Sequence, residues 1–417
     1  MKVIAYLANS FPEPGECYVY EEISELRKRA SRVISCSFRK PRKLVPDLEV
    51  LGRETLYVSP LKIRCALQSL TVLTTRFRRI ADLVLRAIRG PERVGRRLRT
   101  LAHTFLGACL AVELRTEKVE HLHVHHGYFS AWAGMVAARL LNVTYSITLH
   151  GSDLLVRADY IDCKLKNSAF CITISEFNRN HILQRYREIH PAKVLVHRLG
   201  VDPGFWRPQA KPDSNSFLIL SVGRLHAVKN QEFLIRACGE LKKKGIQFTC
   251  VIAGEGEERE RLKRLVFGLR LEREVELIGN VTREDLRFWY GQADVVVFTS
   301  HSEGIPLAAM EAMAMERIVL APRITGIPEL IVHGRNGFLY EPNSKGDFLE
   351  KLLQIRNSRE LLHDLRCQAR MQIELKFNRE RNLVSFASDF LRHIEANTVA
   401  KNGANANSLL QQVQLPV

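Results

Sequence analysis

Short runs of almost unbroken apolar residues punctuate the chain, and helical patterns separate most of them. In the first half the runs are VIAYLA (3–8), VISCSF (33–38), YSITLH (145–150), FCITIS (170–175) and VLVHRL (194–199). In the second they are FLILSV (217–222), FTCVIAG (248–254), VELIG (275–279), VVVFTS (295–300) and IVLAP (318–322). A strand apolar at nearly every position is covered on both faces, which is the condition of a parallel sheet. Strand, helix, strand in repetition then requires right-handed crossovers and an α/β fold.

The alternation restarts after GVDPGFWRPQAKPDSNS (200–216), whose three prolines and small polar residues have linker chemistry. A length of 417 residues accommodates two large domains. The boundaries expected are a first domain over 1–205, a second over 206–377, a helix over 378–396 packing back on the first, and a disordered polar tail over 397–417. No apolar run reaches the roughly 20 residues of a membrane span, and the N-terminus reads as a buried strand rather than a signal peptide. Nine unpatterned cysteines fit a reducing compartment.

The net charge of +17 is lopsided. Residues 1–205 carry +13, and 61–100 alone hold eleven Lys and Arg against Asp82 and Glu92. Within 61–100, Leu70, Leu73, Phe77, Ile80 and Val84 recur at helical spacing, with Arg76, Arg79, Arg86 and Arg89 largely off that face. The pattern predicts either a solvated surface helix or an interfacial helix drawn to anionic lipid. Nucleic acid is not the expected partner: no zinc finger, helix-turn-helix or aromatic-basic interleaving accompanies the charge.

Two carboxylates stand out in HSEGIPLAAMEAMAM (301–315). Glu303 lies in the exit loop of a predicted strand. Gly304 leaves room for a ligand, Pro306 opens a helix, and Glu311 falls one to two turns inside it. An unpaired buried carboxylate is costly, so Glu311 needs donors, and sugar hydroxyls or a basic side chain would serve. SVGRLHAVKN (221–230) places Arg224 and Lys229 at another strand end, with Asn230 as the expected helix cap. Two cations there suit a diphosphate, or form a salt bridge. IAGEGEERERL (252–262) supplies Gly254, Glu255 and Gly256, and LIGNVTREDL (277–286) supplies Gly279 and Asn280 ahead of a capping box of Thr282 and Asp285.

In the first half, His121, His123 and His125 alternate along a predicted strand that ends at His126 and Gly127. No carboxylate or cysteine stands at useful spacing, so no metal site is expected. In SITLHGSDL (146–154), His150 ends a strand, Gly151 lets the chain turn and Asp153 can start a helix. Gly15 sits in the exit loop of the first strand.

SVGRLHAVKN, IAGEG and EGIPLAAMEAMA, in this order and spacing, resemble the nucleotide-sugar half of the retaining glycosyltransferases of family 4. The resemblance extends from FPEPGECYVYEEISELRKR through TLHGSDL to VDPGFWRP. It is nearest to bacterial members that assemble exopolysaccharide, colanic-acid-like polymers or O-antigen on a lipid carrier. It implies the GT-B fold: two Rossmann-like parallel-sheet domains facing a central cleft, acceptor-binding then donor-binding. Arg224 and Lys229 would hold the diphosphate of a UDP- or GDP-hexose, and Glu311 the ribose. Glu303 and His150 would act at the transferred sugar. Backbone at Gly304, Ile305, Pro306 and Leu307 would cradle sugar and phosphate. Gly254, Glu255, Gly279 and Asn280 would lie near the nucleoside, while Gly15, His126, Gly127 and Asp153 would face the acceptor or cleft. The chain has one glycine, Gly15, where many members carry a pair. The resemblance further implies no cofactor beyond the nucleotide-sugar co-substrate, a lipid-linked or saccharide acceptor, and a cytoplasmic protein peripheral to the inner face of the membrane. Three rivals stay open on the residues alone: a glycosidase using Glu303 and Glu311, an epimerase of the same fold, and a non-catalytic scaffold.

Overall fold

The computed structural model describes residues 2–29, 31–41, 48–156, 158–209, 216–358 and 362–413, with the backbone only at Pro14 and 400–413. The chain forms two compact units. One comprises Met1–Thr173, Arg179–His197 and Leu383–Val417; the other comprises Ile174–Asn178 and Arg198–Asn382.

The first unit is built on seven parallel strands: β1 (Val3–Ser10), β2 (Arg32–Arg39), β3 (Leu56–Tyr57), β4 (His121–His125), β5 (Thr144–Leu149), β6 (Phe170–Thr173) and β7 (Val194–Val196). Their order is β3-β2-β1-β4-β5-β6-β7, so the winding reverses between β1 and β4. The second unit has β8 (Leu218–Val222), β9 (Thr249–Ala253), β10 (Val275–Gly279), β11 (Val295–Val297), β12 (Ile318–Pro322) and β13 (Phe338–Tyr340). All are parallel, in the order β10-β9-β8-β11-β12-β13, and the reversal lies between β8 and β11. On either side of such a reversal the crossover helices lie on opposite faces. The loops leaving the two central strands are then left uncovered at the carboxyl edge, where ligands bind in this architecture.

The final helix, Arg379–Val413, puts Phe386, Ala387, Phe390 and Ile394 into one apolar cluster with Ile4, Tyr6, Phe170 and Ile172 of the first sheet. Its backbone continues past residue 397, where disorder was expected, because no proline interrupts it before Pro416. Residues 414–417 of that tail lie outside the described residues.

The segment expected as a free linker is anchored over Val201–Gln209. Val201 pairs with Asn378, Trp206 is buried against Tyr290, and Arg317 donates to the Gln209 carbonyl at 2.6 Å. A large aromatic among the prolines gains more from burial than the segment loses in freedom. Residues 210–215 of the expected linker lie outside the described residues.

The single apolar stripe expected over Leu70–Val84 is broken. A helix ends at Thr75, a 3-10 turn covers Phe77–Arg79, and a new helix runs Ala81–Arg89. Ile80 is fully buried while Leu70 and Phe77 are exposed. The arginines explain the break. Arg76 and Arg79 both donate to the Leu140 carbonyl, at 2.7 and 3.1 Å, closing the end of the helix Phe129–Leu141. Arg86 makes two bonds of 2.8 Å to Glu92 and a third of 3.3 Å to Asp162. Three of the four arginines read as a solvated basic face therefore serve the fold.

Candidate functional site

In the second unit the exit loops of β8 and β11 are stapled together. Thr299 donates to the carbonyls of Lys229 and Asn230 at 3.1 and 2.9 Å, and the His301 N–H to that of Val228 at 2.8 Å. This brings Lys229 onto Glu303: Nζ lies 2.5 Å from Oε1, the same oxygen that accepts from Ser300 at 2.6 Å. Thr325 and the Glu303 backbone bond each other in both directions. A side chain at Gly326 would strike the Gly304 carbonyl at 2.4 Å, so the 303–305 loop rests directly on backbone. Ile305 and Pro306 turn inward, and the helix Leu307–Ala314 begins one residue after Pro306. Glu311 accepts from the Tyr290 hydroxyl at 3.0 Å. Burial lifts its carboxyl to about 7, against the opposing pull of Tyr290 and Arg283.

Arg224 is exposed, and its guanidinium makes no hydrogen bond or ion pair among the described residues. Asn230 does not cap with its side chain as expected. It adopts φ 51°, ψ 44°, a left-handed turn asparagine tolerates, while His226 caps the preceding 3-10 turn Ala227–Lys229 by accepting from the Val228 N–H. The capping box at Thr282 is present, with Oγ1 accepting from the Asp285 N–H at 3.1 Å. Gly254 and Gly256 are needed for loop-on-loop packing: added Cβ atoms would lie 2.0 Å from the Gly223 carbonyl and 2.2 Å from that of Leu225. Glu255 pairs with Arg259 at 2.7 Å beside Gly279, and Asn280 is exposed next to them.

The first unit repeats the plan at its own reversal. Glu16, leaving β1, meets His126, leaving β4, at 3.2 Å. Asp153, leaving β5, is fully buried and ties the β4 exit to its own: its carboxylate accepts from the N–H groups of Gly127 (2.8 Å), His150 (3.1 Å) and Gly151 (2.9 Å). His126 Nδ1 stands 3.7 Å away. Burial alone would lift this carboxyl, but the His126 cation and the backbone donors hold it well below the usual range. Burial likewise opposes the charge on His126, yet Asp153 and Glu16 raise it to about 9. Asp153, expected to face the acceptor or cleft, has none of its surface open and acts as a positioning residue. Gly127 is also buried; a Cβ there would press on Leu149 at 2.6 Å. Gly15 lies exposed in the turn Pro14–Glu16 with open space around it.

His150 ends a chain of buried polar groups. Its Nε2 is 2.6 Å from His125 Nε2, His125 Nδ1 is 3.1 Å from the Tyr6 hydroxyl, and Tyr6 bonds Glu22. Burial raises the Glu22 carboxyl to about 8, against the Tyr6 bond that lowers it. With its carboxyl raised so far, Glu22 is protonated at neutral pH, and Glu22, Tyr6, His125 and His150 form one continuous hydrogen-bonded chain. Burial, then the His126 cation, lowers His150 to about 3, so it is neutral. Further down β4, His121 lies 2.7 Å from both Thr144 and Ser146, and His123 lies 2.7 Å from Ser146 and 3.0 Å from Thr148. In-register parallel strands thus alternate imidazole and hydroxyl.

His125, His126 and His150 bring one ligand-type atom each within 4.8 Å of one another. The 2.6 Å between His125 and His150 is a hydrogen-bond separation; two nitrogens on one zinc, each about 2.0 Å from it at a tetrahedral angle, stand farther apart.

Sequence reasoning missed Lys164, Glu22, Tyr6, Ser300 and Thr325. Lys164 is 2% exposed and donates to the carbonyls of Gly127 (2.7 Å), Tyr128 (3.1 Å) and Asp159 (2.5 Å). Burial lowers its ammonium to about 8. Ser300 stands only three residues before Glu303 and could have been read with it; Tyr6, Glu22, Thr325 and the Lys164–Gly127 contact join residues 16 or more apart, which no motif marks.

Comparisons with known proteins agree with this geometry. The Glycosyltransferase Family 4 model matches residues 16–205, and the Glycosyl transferases group 1 model matches residues 203–372. The amylovoran biosynthesis glycosyltransferase AmsK of Erwinia amylovora is 28% identical over 288 residues, 66% of this chain and 70% of AmsK. WcaL of Salmonella typhimurium, named for colanic acid biosynthesis, is 31% identical over 198 residues. That stretch is 46% of this chain and 49% of WcaL, about half the relative's length. HepE of Anabaena, solved with UDP, superimposes with a TM-score of 0.70 over 94% of this chain and 100% of that one, at 17% identity. That likeness concerns the fold. With family models matching nearly end to end, and two parallel sheets each reversing at a built site, the chain belongs to the family 4 glycosyltransferases and has their GT-B fold.

Proposed function

We propose that the protein moves a hexosyl group from a UDP- or GDP-linked donor to a lipid-linked saccharide in surface-polysaccharide assembly, with retention at the anomeric carbon and without a metal. The Lys229–Glu303 pair at the exits of β8 and β11 carries this reading. A cation fixed by a carboxylate beside exposed Arg224 is preorganised for the charge that develops as a nucleoside diphosphate leaves. Glu303 and Glu311 have separate partners, Lys229 with Ser300 and Tyr290 respectively, which suits two binding roles better than an acid–base pair across one bond. The names of AmsK and WcaL support the polysaccharide context, and UDP in HepE supports the donor class.

Glu311→Ala tests the ribose role. Losing a charge-assisted bond to a sugar hydroxyl is expected to weaken UDP binding about 10- to 100-fold in calorimetry, with the fold retained. Affinity within twofold of wild type would remove Glu311 from the donor site. With donor and acceptor, proton NMR of the new glycosidic bond reports its configuration, and full turnover in EDTA is expected.

Association with an anionic membrane surface belongs to the same proposal. Among the described residues no helix is long and apolar enough to cross a membrane. The helix Ile63–Thr75 instead exposes Ile63 (82%), Leu67 (62%) and Leu70 (53%) along one face, beside exposed Lys62 and Arg64. Apolar side chains ringed by cations suit an acidic lipid interface. Replacing Ile63, Leu67 and Leu70 by serine is expected to abolish flotation with phosphatidylglycerol vesicles. Equal flotation of wild type and variant would reject this surface.

A further inference from the structure

A cavity of about 930 Å³ opens in the first unit at the carboxyl ends of β1, β4 and β5, lined in part by Asn9, Tyr128 and Lys164. The helix Val94–Leu114 closes its other side with Arg96, Arg99, Thr100 and His103, whose spacing puts them on one helix face. The wall is cationic. Asp159, the one carboxylate among the described residues that line it, pairs with Arg96 at 2.8 Å. Arg99 has no hydrogen bond or ion pair among the described residues, and the Lys164 ammonium is locked beneath by three carbonyls. His103, packed against Phe129 with ring centroids 4.8 Å apart, is pushed down to about 4 by burial and then by the Lys164 and Arg99 charges. Asn9 lines the cavity, and its buried Oδ1 makes no hydrogen bond among the described residues. The same helix exposes Val94 and Leu98 in its first two turns, so apolar surface adjoins the arginines.

We propose that this cavity seats the phosphate-bearing head of a lipid-linked acceptor: Arg96 and Arg99 hold the phosphate, His103 and Asn9 hydrogen-bond the first sugar or the bridging oxygen, and the aromatic wall at Tyr128 and Phe129 takes apolar surface. The inference rests on the glycosyltransferase reading and adds to it the chemistry of the acceptor. A phosphate is favoured over a neutral sugar because a cavity with unneutralised guanidinium and ammonium charge stabilises an anion.

The test uses farnesyl diphosphate, inorganic pyrophosphate and farnesol as probes, read by calorimetry on the full chain. Farnesyl diphosphate is expected to bind wild type, and Arg96→Gln/Arg99→Gln to raise its Kd at least about tenfold while leaving UDP affinity unchanged. Both arginines are exposed, so the variant is expected to fold; His103→Gln, expected to weaken binding less, provides a second variant. Lys229→Ala must behave oppositely, losing UDP and keeping farnesyl diphosphate. Farnesyl diphosphate affinity unchanged in both the Arg96/Arg99 and His103 variants overturns the proposal. Pyrophosphate binding as tightly as farnesyl diphosphate overturns its lipid part, and farnesol binding equally well overturns its phosphate part. Failure of wild type to bind UDP or GDP at all would instead sink the underlying glycosyltransferase reading.

Discussion

Lys229→Ala is expected to lower turnover roughly 10²- to 10³-fold, the range for removing a preorganised group that stabilises developing charge. The reason lies in how Lys229 is held. Its ammonium is fixed by Glu303, and the loop that carries it by Thr299 and His301. It therefore needs little rearrangement when charge builds on a departing diphosphate. Arg224→Ala should cost less, about tenfold, because an exposed guanidinium with no partner among the described residues must first be ordered. Glu303→Gln combined with Lys229→Ala should be less than additive, since the two share one contact. Steady-state kinetics alongside UDP calorimetry would check this. Turnover of Lys229→Ala within threefold of wild type would show that the pair is structural.

Acidification is expected to unfold the first unit near pH 5. His121, His123, His125 and His150 are held neutral in the fold, primarily by burial, well below the ordinary imidazole value. The unfolded chain takes up their protons below about pH 6.5, so each can remove up to about 1.4 kcal/mol of stability per pH unit as the pH falls. By pH 5 the four together reach on the order of 8 kcal/mol, of which the raised Glu22 offsets about 2, leaving a loss within the 5–15 kcal/mol that holds a domain. Sharing hydrogen bonds, they titrate as a group rather than singly. Glu22 and His126 act in the other direction. Both are raised on folding, Glu22 to about 8 and His126 to about 9, so their contributions are present at low pH. That of Glu22 is lost as the pH rises from about 4.5 through 8, and that of His126 from about 6.5 through 9. Maximum stability should therefore fall near neutral pH. Denaturant unfolding followed by hydrogen exchange in residues 1–173 would measure the slope. His121→Gln/His123→Gln should shed about two protons of acid sensitivity; a slope identical to wild type would refute the assignment.

Much of this was legible along the chain. Ten of the thirteen strands announce themselves as apolar runs, and the β4 histidines alternate as a strand must. The capping box at Thr282 and the strand-end positions of Lys229, Glu303 and His150 were visible too. The missed strands were β3 and β13, only two and three residues long, too short for any period to emerge. The 61–100 segment misled for a different reason. Its spacing fits one helix, but Arg76 and Arg79 find the Leu140 carbonyl 64 and 61 residues away, and that contact accompanies the break in the helix.

The sequence by itself determined the class of fold, the division of the sheet pattern and the residue types at the strand ends, because these depend on local periodicity and on turn chemistry. Only the tertiary structure decided which of those residues face one another. That Lys229 meets Glu303 and Glu16 meets His126 follows from where each sheet reverses its winding, and that Asp153 is buried between neighbouring exits follows from the pairing of β4 with β5. Reversal brings together loops separated by tens of residues, and no local pattern carries that information.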